Sequence, residues 1–269
     1  MFHLDAYLLS LAAMLAAGLL SWIVSIVRGD VSIVDSLWSL MFLIAAIVFA
    51  TTLPESGPRT GLVLILVTLW AMRLSAYITW RNWGEGEDRR YQQIRANNEP
   101  HFALKSVYIV FGLQGVLAWI ISLPLLAAMS GTSDLGALDY AGISLWVIGM
   151  VFEAGGDYQL ARFKSDPANR SKVMDRGLWR YTRHPNYFGN ACVWWGFYLI
   201  ALAAGGWWVV ISPILMTLLL LEVSGVALLE KNMSERRPPY ADYIARTNAF
   251  VPGLPKKAAP PKHGGLNHG

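Results

Sequence analysis

The sequence predicts an all-α integral membrane protein with seven transmembrane helices. Of its 269 residues, 55% are hydrophobic and only 15% are charged, whereas soluble domains carry roughly 25% charged residues. Seven segments reach the length of about 20 mostly apolar residues that one helix needs to cross a bilayer. The cationic residues fall almost entirely into alternate connecting segments, as they do in loops that share one face of a membrane.

Each predicted span is bounded by charged or turn-forming residues. Arg28 follows the first apolar segment, and Pro54 and Pro58 follow the second. Pro124 predicts a kink in the fourth segment, and the pair Gly205–Gly206 separates the sixth segment from the seventh. The predicted spans are residues 6–27, 33–53, 61–80, 104–129, 138–160, 186–205 and 207–229. They form one membrane domain over residues 1–255. Residues 256–269, rich in Pro, Gly, Lys and His, are expected to be a disordered cytoplasmic tail.

The distribution of Lys and Arg predicts the orientation. With the N-terminus outside, twenty of the 22 Lys and Arg residues lie in the segments that face inward. Arg59 is the outward cation, and Arg73 lies within the third span. Cytoplasmic loops are enriched in Lys and Arg. We therefore expect the N-terminus outside and the C-terminus in the cytoplasm.

Several ionisable residues lie inside the predicted spans, where charge is costly and usually meets a partner or a cavity. Asp35 and Arg73 are expected at similar depth. They form either a structural ion pair, or Asp35 is a proton donor at the floor of a site. Glu153, Asp157 and Lys164 share one helical face by their spacing. Cys192, in an apolar run, is expected to be an inert buried thiol.

Three polar segments are predicted to share the cytoplasmic face. They are Arg81–Tyr91, Gly177–Asn190 and Leu229–Tyr243, and each mixes cations with aromatic residues. The loop before Pro185 is predicted to enter a helix, since proline is favoured in a first helical turn. A loop that enters a helix with cationic side chains beside it can bind an anionic group. Lipid headgroups are one candidate for this group, and a phosphorylated cofactor is another.

The sequence lacks the motifs of several other functional classes. The sequence has no GxGxxG, no GK[ST] and no G-x-S-x-G. The five histidines are scattered, so no metal site is expected. The positive charge fits membrane topology better than nucleic-acid binding.

The chain resembles a known family over nearly its whole length from Asp35 to Pro255. The motifs are Glu153-x-x-x-Asp157-x-Gln159, Gly177 to Gly189 with its Arg-His-Pro-x-Tyr core, Trp194-Trp195-Gly196, Arg81 to Tyr91, and Arg236-Arg237-Pro238-x-Tyr240. Together they resemble the bacterial DUF1295 branch of the steroid 5-alpha-reductase family. The Arg-His-Pro-x-Tyr core is shared with isoprenylcysteine carboxyl methyltransferases.

The resemblance implies an NADPH-dependent membrane enzyme that reduces a C=C bond conjugated to a carbonyl in a steroid-like or other lipid substrate. Hydride transfer from NADPH would leave charge on the carbonyl oxygen, which a neighbouring acid stabilises. The implied catalytic residues are Asp35, Trp70 and Arg73. Trp70 stands where the family has a tyrosine, and Asn190 stands where it often has Glu. The residues expected to bind the cofactor are Arg81, Glu87, Asp88, Arg90, Tyr91, Asp157, Lys164, Arg180, Tyr181, Arg183, His184, Asn186, Tyr187, Asn190, Glu230, Arg236, Arg237 and Tyr240.

Two other functions fit the same residues. One is a SAM-dependent methyltransferase of the isoprenylcysteine type, and the other is a lipid-binding membrane protein without enzymatic activity. The reductase is favoured because many cations suit a phosphorylated cofactor, whereas SAM carries no phosphate. The candidates for recognising the 2′-phosphate are Arg162, Lys164, Arg236 and Arg237. The expected location is the bacterial inner membrane with the cofactor site facing the cytoplasm. The expected partners are a lipid-like substrate and membrane lipids, with no nucleic acid and no inferred protein partner.

Overall fold

The computed structural model describes residues 2–223 and 239–256. Within these ranges the chain is helical, with no β-strand. The end of the predicted seventh span, the predicted cofactor residues Glu230, Arg236 and Arg237, and the predicted disordered tail beyond Lys256 lie outside the described residues.

Nine α-helices are described. They are α1 Leu4–Arg28, α2 Ile33–Thr52, α3 Pro58–Asn82, α4 Arg89–Asn97, α5 Phe102–Met129, α6 Ala137–Ser165, α7 Pro185–Ala203, α8 Ile211–Leu218 and α9 Pro239–Arg246. A π-helical stretch, Val107–Gly112, lies within α5, and another, Leu219–Val223, continues α8. Short 3-10 helices occupy Pro167–Asn169, Gly177–Arg180 and Trp207–Val210.

Five of these helices, α1, α2, α3, α5 and α6, are long and apolar enough to cross a membrane. They confirm the first five predicted spans within a few residues. The predicted sixth and seventh segments are also helical, but α7 and α8 are shorter. That they cross the membrane, and which side each terminus faces, stay predictions.

Two boundaries differ from the sequence prediction. The polar segment after α3 was expected to be a loop, but it contains α4. Asp88 begins this helix because its carboxylate accepts a hydrogen bond from the Arg90 N–H, which satisfies one of the free amides of a first turn. Helix α6 also continues beyond residue 160 to Ser165. The interruption expected at Pro124 is confirmed, because α5 breaks at Ser122 just before it.

Apolar side chains cover the outer face of α1. Leu20 is 66% exposed and Val27 is 83% exposed. Large exposed apolar faces are uncommon in soluble monomers, whereas lipid tails solvate them without cost. The five long helices and this pattern mark an integral membrane protein.

The chain divides into two compact units. The first combines Met1–Trp146 with Trp194–Leu215, and the second combines Val147–Val193 with Met216–Gly269. In the first unit, α2 packs against both α1 and α3, and α5 packs against all three helices. An aromatic cluster lies in this core, where Phe42, Trp70 and Trp194 have ring centroids 4.5–5.6 Å apart.

Arg59 forms a buried ion pair in the first unit. Its side chain is 2% exposed, and that of its partner Asp139 is fully buried. Nε and Nη2 of Arg59 donate to the two carboxylate oxygens at 2.8 and 2.7 Å. The remaining donors reach the carbonyl oxygens of Ser133 and Asp134. Arg59 therefore ties the start of α3 to the turn before α6.

Candidate functional site

Asp35 is the centre of a polar cluster in the first unit, formed by Asp35, Arg90, Tyr91 and Gln114. Asp35 lies in the first turn of α2, and its side chain is 16% exposed. The Tyr91 hydroxyl donates to its carboxylate at 2.6 Å, and Nη2 of Arg90 donates to it at 2.8 Å. The amide of Gln114, on α5, donates to the same Tyr91 hydroxyl at 3.0 Å. We call these four residues the Asp35 cluster.

The cluster answers one question that the sequence left open. The ion-pair partner that the structure gives Asp35 is Arg90 from α4, whereas the ion-pair alternative from the sequence had named Arg73. The reason is α4 itself, since a loop would not have placed Arg90 and Tyr91 together against α2. Arg73 instead lies over the Tyr77 ring, 5.7 Å from its centroid. Arg90 and Tyr91 both donate to the Asp35 carboxyl, so Asp35 is a hydrogen-bond acceptor here and Tyr91 is one of its donors.

The charges on α4 support this assignment. Burial lowers the pKa of Arg90, but attraction to Asp35 and to Asp88 outweighs burial, and the net shift is upward. Burial raises the pKa of the Tyr91 hydroxyl, and the Asp35 carboxylate raises it further. The phenol therefore keeps its proton at neutral pH and can donate it in a hydrogen bond.

Trp70, the expected counterpart of a catalytic tyrosine, is fully buried among aromatic rings. Its ring meets the rings of Phe42 and Trp194 edge-on. Such an environment suits core packing. The hydroxyl that the structure brings to Asp35 belongs to Tyr91 instead.

The other residues expected from the Arg81–Tyr91 segment have contacts within the segment or with its neighbours. Glu87 accepts from Nε and Nη2 of Arg95 at 2.9 and 2.7 Å, and from the Val31 N–H at 3.0 Å. Partial burial raises the pKa of Glu87, but these hydrogen bonds outweigh it and leave the pKa below its ordinary value. Asp88 caps α4, and the exposed Arg81 donates to Asn82. Glu87 and Asp88 thus hold α4 in position.

A second polar arrangement lies in the second unit, between α6 and α7. Nδ2 of Asn186 donates to Asp157 at 3.1 Å, and Nδ2 of Asn190 donates to Glu153 at 3.2 Å. Each pair of residues is spaced by four on its helix, so the two hydrogen bonds are successive links between facing helices. Glu153, Asp157 and Asn190 are 2%, 5% and 8% exposed. We call these four residues the helix-pair site.

Glycines permit the close approach of the two helices. A Cβ on Gly149 would lie 2.6 Å from the carbonyl oxygen of Gly189 and 2.7 Å from the backbone N of Val193. Real side chains do not come that close to a backbone, so both helices need small residues at this crossing. Small residues at helix contacts are typical of membrane proteins. The crossing brings the backbones together beside the helix-pair site.

One acceptor in the helix-pair site has no donor among the described residues. It is Oδ1 of Asn190, which is buried. A buried polar atom without a partner costs roughly 1–3 kcal/mol, and such atoms in native structures often mark the place of a ligand group. A carboxamide N–H or a ribose hydroxyl would satisfy it. The helix-pair site therefore offers a buried acceptor that no described residue uses.

The segment before α7 is fixed by two hydrogen bonds to α6. The Trp179 indole donates to the Gly156 carbonyl at 3.0 Å, and the Leu178 N–H donates to Oε1 of Gln159 at 2.9 Å. Both contacts dock the Gly177–Arg180 turn on α6. Helix α7 then begins at Pro185, as predicted.

Arg183 and His184 are buried at the entrance to α7. Nη1 of Arg183 donates to the carbonyl oxygens of Thr247 and Ile244 at 2.5 and 3.2 Å. The His184 ring lies parallel to the Tyr187 ring, with centroids 5.6 Å apart. Arg183 therefore ties this segment to the end of α9.

The remaining predicted residues of the second unit are distributed around this entrance. Arg180, Tyr181 and Lys164 are exposed. Tyr240 is buried on α9, 5.7 Å from the Tyr243 ring. Four of the predicted residues, His184, Asn186, Tyr187 and Asn190, thus lie at the start of α7, and a fifth, Asp157, accepts a hydrogen bond from Asn186.

Sequence reasoning missed two residues of these sites. Gln114 was passed over inside an apolar span, although a lone amide there is a signal of a buried hydrogen bond. Glu153 was recognised as a buried acid, but its link to Asn190 was not predicted. The spacing by four on both sides of the loop was the available signal.

Comparison with known proteins identifies the family. Residues 21–247 match the family described as "Protein of unknown function (DUF1295)", and the chain belongs to it, as the motifs predicted. A relative in Schizosaccharomyces pombe, the uncharacterized protein C594.04c, is 24% identical over 281 residues, which cover 94% of this chain and 81% of the relative. No solved structure matches the chain.

Proposed function

We propose that this protein is an NADPH-dependent membrane reductase of a lipid-like substrate whose C=C bond is conjugated to a carbonyl. The observation that carries the proposal is the helix-pair site with its buried, unpartnered Asn190 oxygen. Three residues that the resemblance assigns to the cofactor lie there, and Asp157 contacts Asn186 across 29 residues of sequence while Asn190 is one helical turn further along α7. NADPH would supply the hydride.

The residues of the helix-pair site suit the polar parts of a nicotinamide nucleotide. Asp157 and Glu153 offer carboxylate oxygens to hydroxyl or amide donors, and the Asn190 oxygen offers a neutral acceptor. Glu153, Asp157 and Asn190 are each less than 10% exposed on α6 and α7. Polar groups in such surroundings are retained when they serve a ligand or a partner.

Reduction of a conjugated C=C bond also requires a donor for the carbonyl oxygen as it becomes an enolate. In the first unit, the described donor of this kind is the Tyr91 hydroxyl. Asp35 orients it by accepting its hydrogen bond, and Arg90 donates to the same carboxyl. The phenol has a single O–H proton, so we propose that Tyr91 turns this donor from Asp35 to the carbonyl oxygen when the substrate binds, and that Asp35 positions the Tyr91 side chain beforehand.

The test is NADPH oxidation by the purified full-length protein in detergent, with a panel of steroid, isoprenoid and fatty-acyl enones. We expect turnover of at least one class. We also expect Tyr91→Phe to lower kcat by about 10²–10³-fold while KM changes little, as when a single donor to a developing oxyanion is removed. Gln92→Ala, from the same helix, is the control and should retain activity.

Two results would refute the proposal. One is binding of SAM with no binding of NADPH, which would favour a methyltransferase. The other is the absence of nucleotide binding altogether, which would favour a lipid-binding protein.

A further inference from the structure

A cationic cavity of about 440 Å³ lies in the second unit beside the Gly177–Arg180 turn. Four cations line it: Arg176, Arg180, Arg246 and Lys256. The sequence had singled out only Arg180 among these four for the cofactor, and its candidates for a phosphate were other residues. We call this cavity the cation pocket.

The pocket carries an excess of positive charge. The carboxylate in its lining, Asp175, accepts from Nη2 of Arg246 at 2.5 Å. Arg176, Arg180 and Lys256 have no ion-pair partner within residues 2–223 and 239–256. Like charges gathered in one concavity raise the local concentration of an anion. The pocket therefore has room and charge for a doubly charged group.

The backbone that presents these cations is held in place. The Gly177–Arg180 turn is docked on α6 through Trp179 and Leu178. Tyr243, on α9, donates to the Trp179 carbonyl oxygen. The Lys256 N–H donates to the Arg246 carbonyl oxygen at 2.8 Å. Fixed positions lower the ordering cost of binding, which separates this pocket from a loose cationic tail that only follows a lipid surface.

We propose that the cation pocket binds a phosphate monoester. At pH 7 a monoester carries about 1.5 to 2 negative charges and three acceptor oxygens, and Arg forks bind these oxygens in pairs. A phosphodiester carries one charge and fewer free oxygens, so it gains less. The pocket thus favours monoesters over diesters.

This group has two sources that the experiment below can distinguish. One is the 2′-phosphate of NADPH, and this source rests on the proposed function. The other is the headgroup of phosphatidic acid. The cation pocket and the helix-pair site both border α6, because the turn that lines the pocket contacts Gly156, next to Asp157.

The experiment compares each monoester with a related molecule that lacks the monoester group, and it uses the full-length protein. NADPH is compared with NADH, which lacks the 2′-phosphate, by binding titration in detergent. Phosphatidic acid is compared with phosphatidylglycerol in nanodiscs of phosphatidylcholine. The variant is Arg176→Ala/Arg180→Ala, in which both side chains are exposed, so the fold should persist. Arg170→Ala, an exposed cation of the same loop, is the matched control.

We expect the wild type to prefer the monoester at least tenfold in one arm. The double variant should lose that preference, while its affinity for NADH or phosphatidylglycerol stays the same. Lys256→Ala should lose part of the preference. Preference in the lipid arm without nucleotide binding would uphold the pocket while refuting the reductase. No monoester preference in either arm, or an unchanged preference in the double variant, would overturn the inference.

Discussion

Replacing Asp139 by Asn should destabilise the protein strongly, because it strands the buried charge of Arg59. The Arg59 side chain is 2% exposed, and both oxygens of the Asp139 carboxylate accept from it, at 2.8 and 2.7 Å. Breaking one partner of a buried pair costs about 3–5 kcal/mol. At about 2–4 °C per kcal/mol for a chain of this size, the melting temperature should fall on the order of 6–20 °C.

The assay is thermal unfolding of detergent-purified protein, followed by intrinsic fluorescence of its 12 tryptophans. Asp175→Asn is the control, because its pair with Arg246 is 32% and 42% exposed. Pairs exposed to that extent contribute about 0–1 kcal/mol. Its melting temperature should therefore stay close to that of the wild type.

The double variant Arg59→Met/Asp139→Leu separates charge from packing. Replacing a whole buried pair by apolar residues of similar size is often neutral, so the double variant should recover most of the loss. A fall of less than about 1 kcal/mol in Asp139→Asn would refute the reasoning. A double variant as unstable as Asp139→Asn would also refute it.

Three further predictions concern the sites. Gly149→Val should separate α6 from α7, because its Cβ would lie 2.6 Å from the Gly189 carbonyl oxygen. Thermal unfolding should show a large fall in melting temperature. The control Gly61→Ala, where the added Cβ meets open space, should show no such fall. Acidification should weaken the contact between Glu87 and Arg95 that positions α4, because the pKa of Glu87 in the folded protein lies below its ordinary value of 4.5. The free energy that this contact contributes to folding is fully present above pH 4.5 and is lost as the pH falls through the folded pKa. Arg95→Met should flatten this acid-side slope in a stability profile, and an unchanged slope would contradict it. Asp35→Asn should lower kcat like Tyr91→Phe if it orients the phenol, and the double variant should be no slower than either single variant.

Hydrophobicity and charge placement were enough to predict the five long helices, because a span of apolar residues has few alternatives in a bilayer. The same reasoning missed α4, whose length is short and whose composition is polar. It forms because Asp88 caps it and Tyr91 anchors it to Asp35, and both are tertiary or local contacts that periodicity does not reveal.

In the helix-pair site, too, the sequence predicted one part of the arrangement and not the other. The spacing of Glu153 and Asp157 predicted a shared helical face, and the structure places both opposite asparagines of α7. Which acid meets which asparagine depends on the crossing at Gly149 and Gly189, which no local pattern encodes. The partner of Asp35 was beyond reach for a related reason, since it depends on where α4 folds back.

The most direct test of the reductase account is the affinity of the purified protein for NADPH, compared between the wild type and Asn190→Leu. Leucine keeps the volume of the side chain and removes the buried acceptor. We expect the wild type to bind NADPH and the variant to bind it at least tenfold more weakly. Asn169→Leu, in the 3-10 helix Pro167–Asn169 of the same unit, should leave the affinity unchanged. Equal affinity in the wild type and Asn190→Leu, or no NADPH binding by the wild type, would contradict the account.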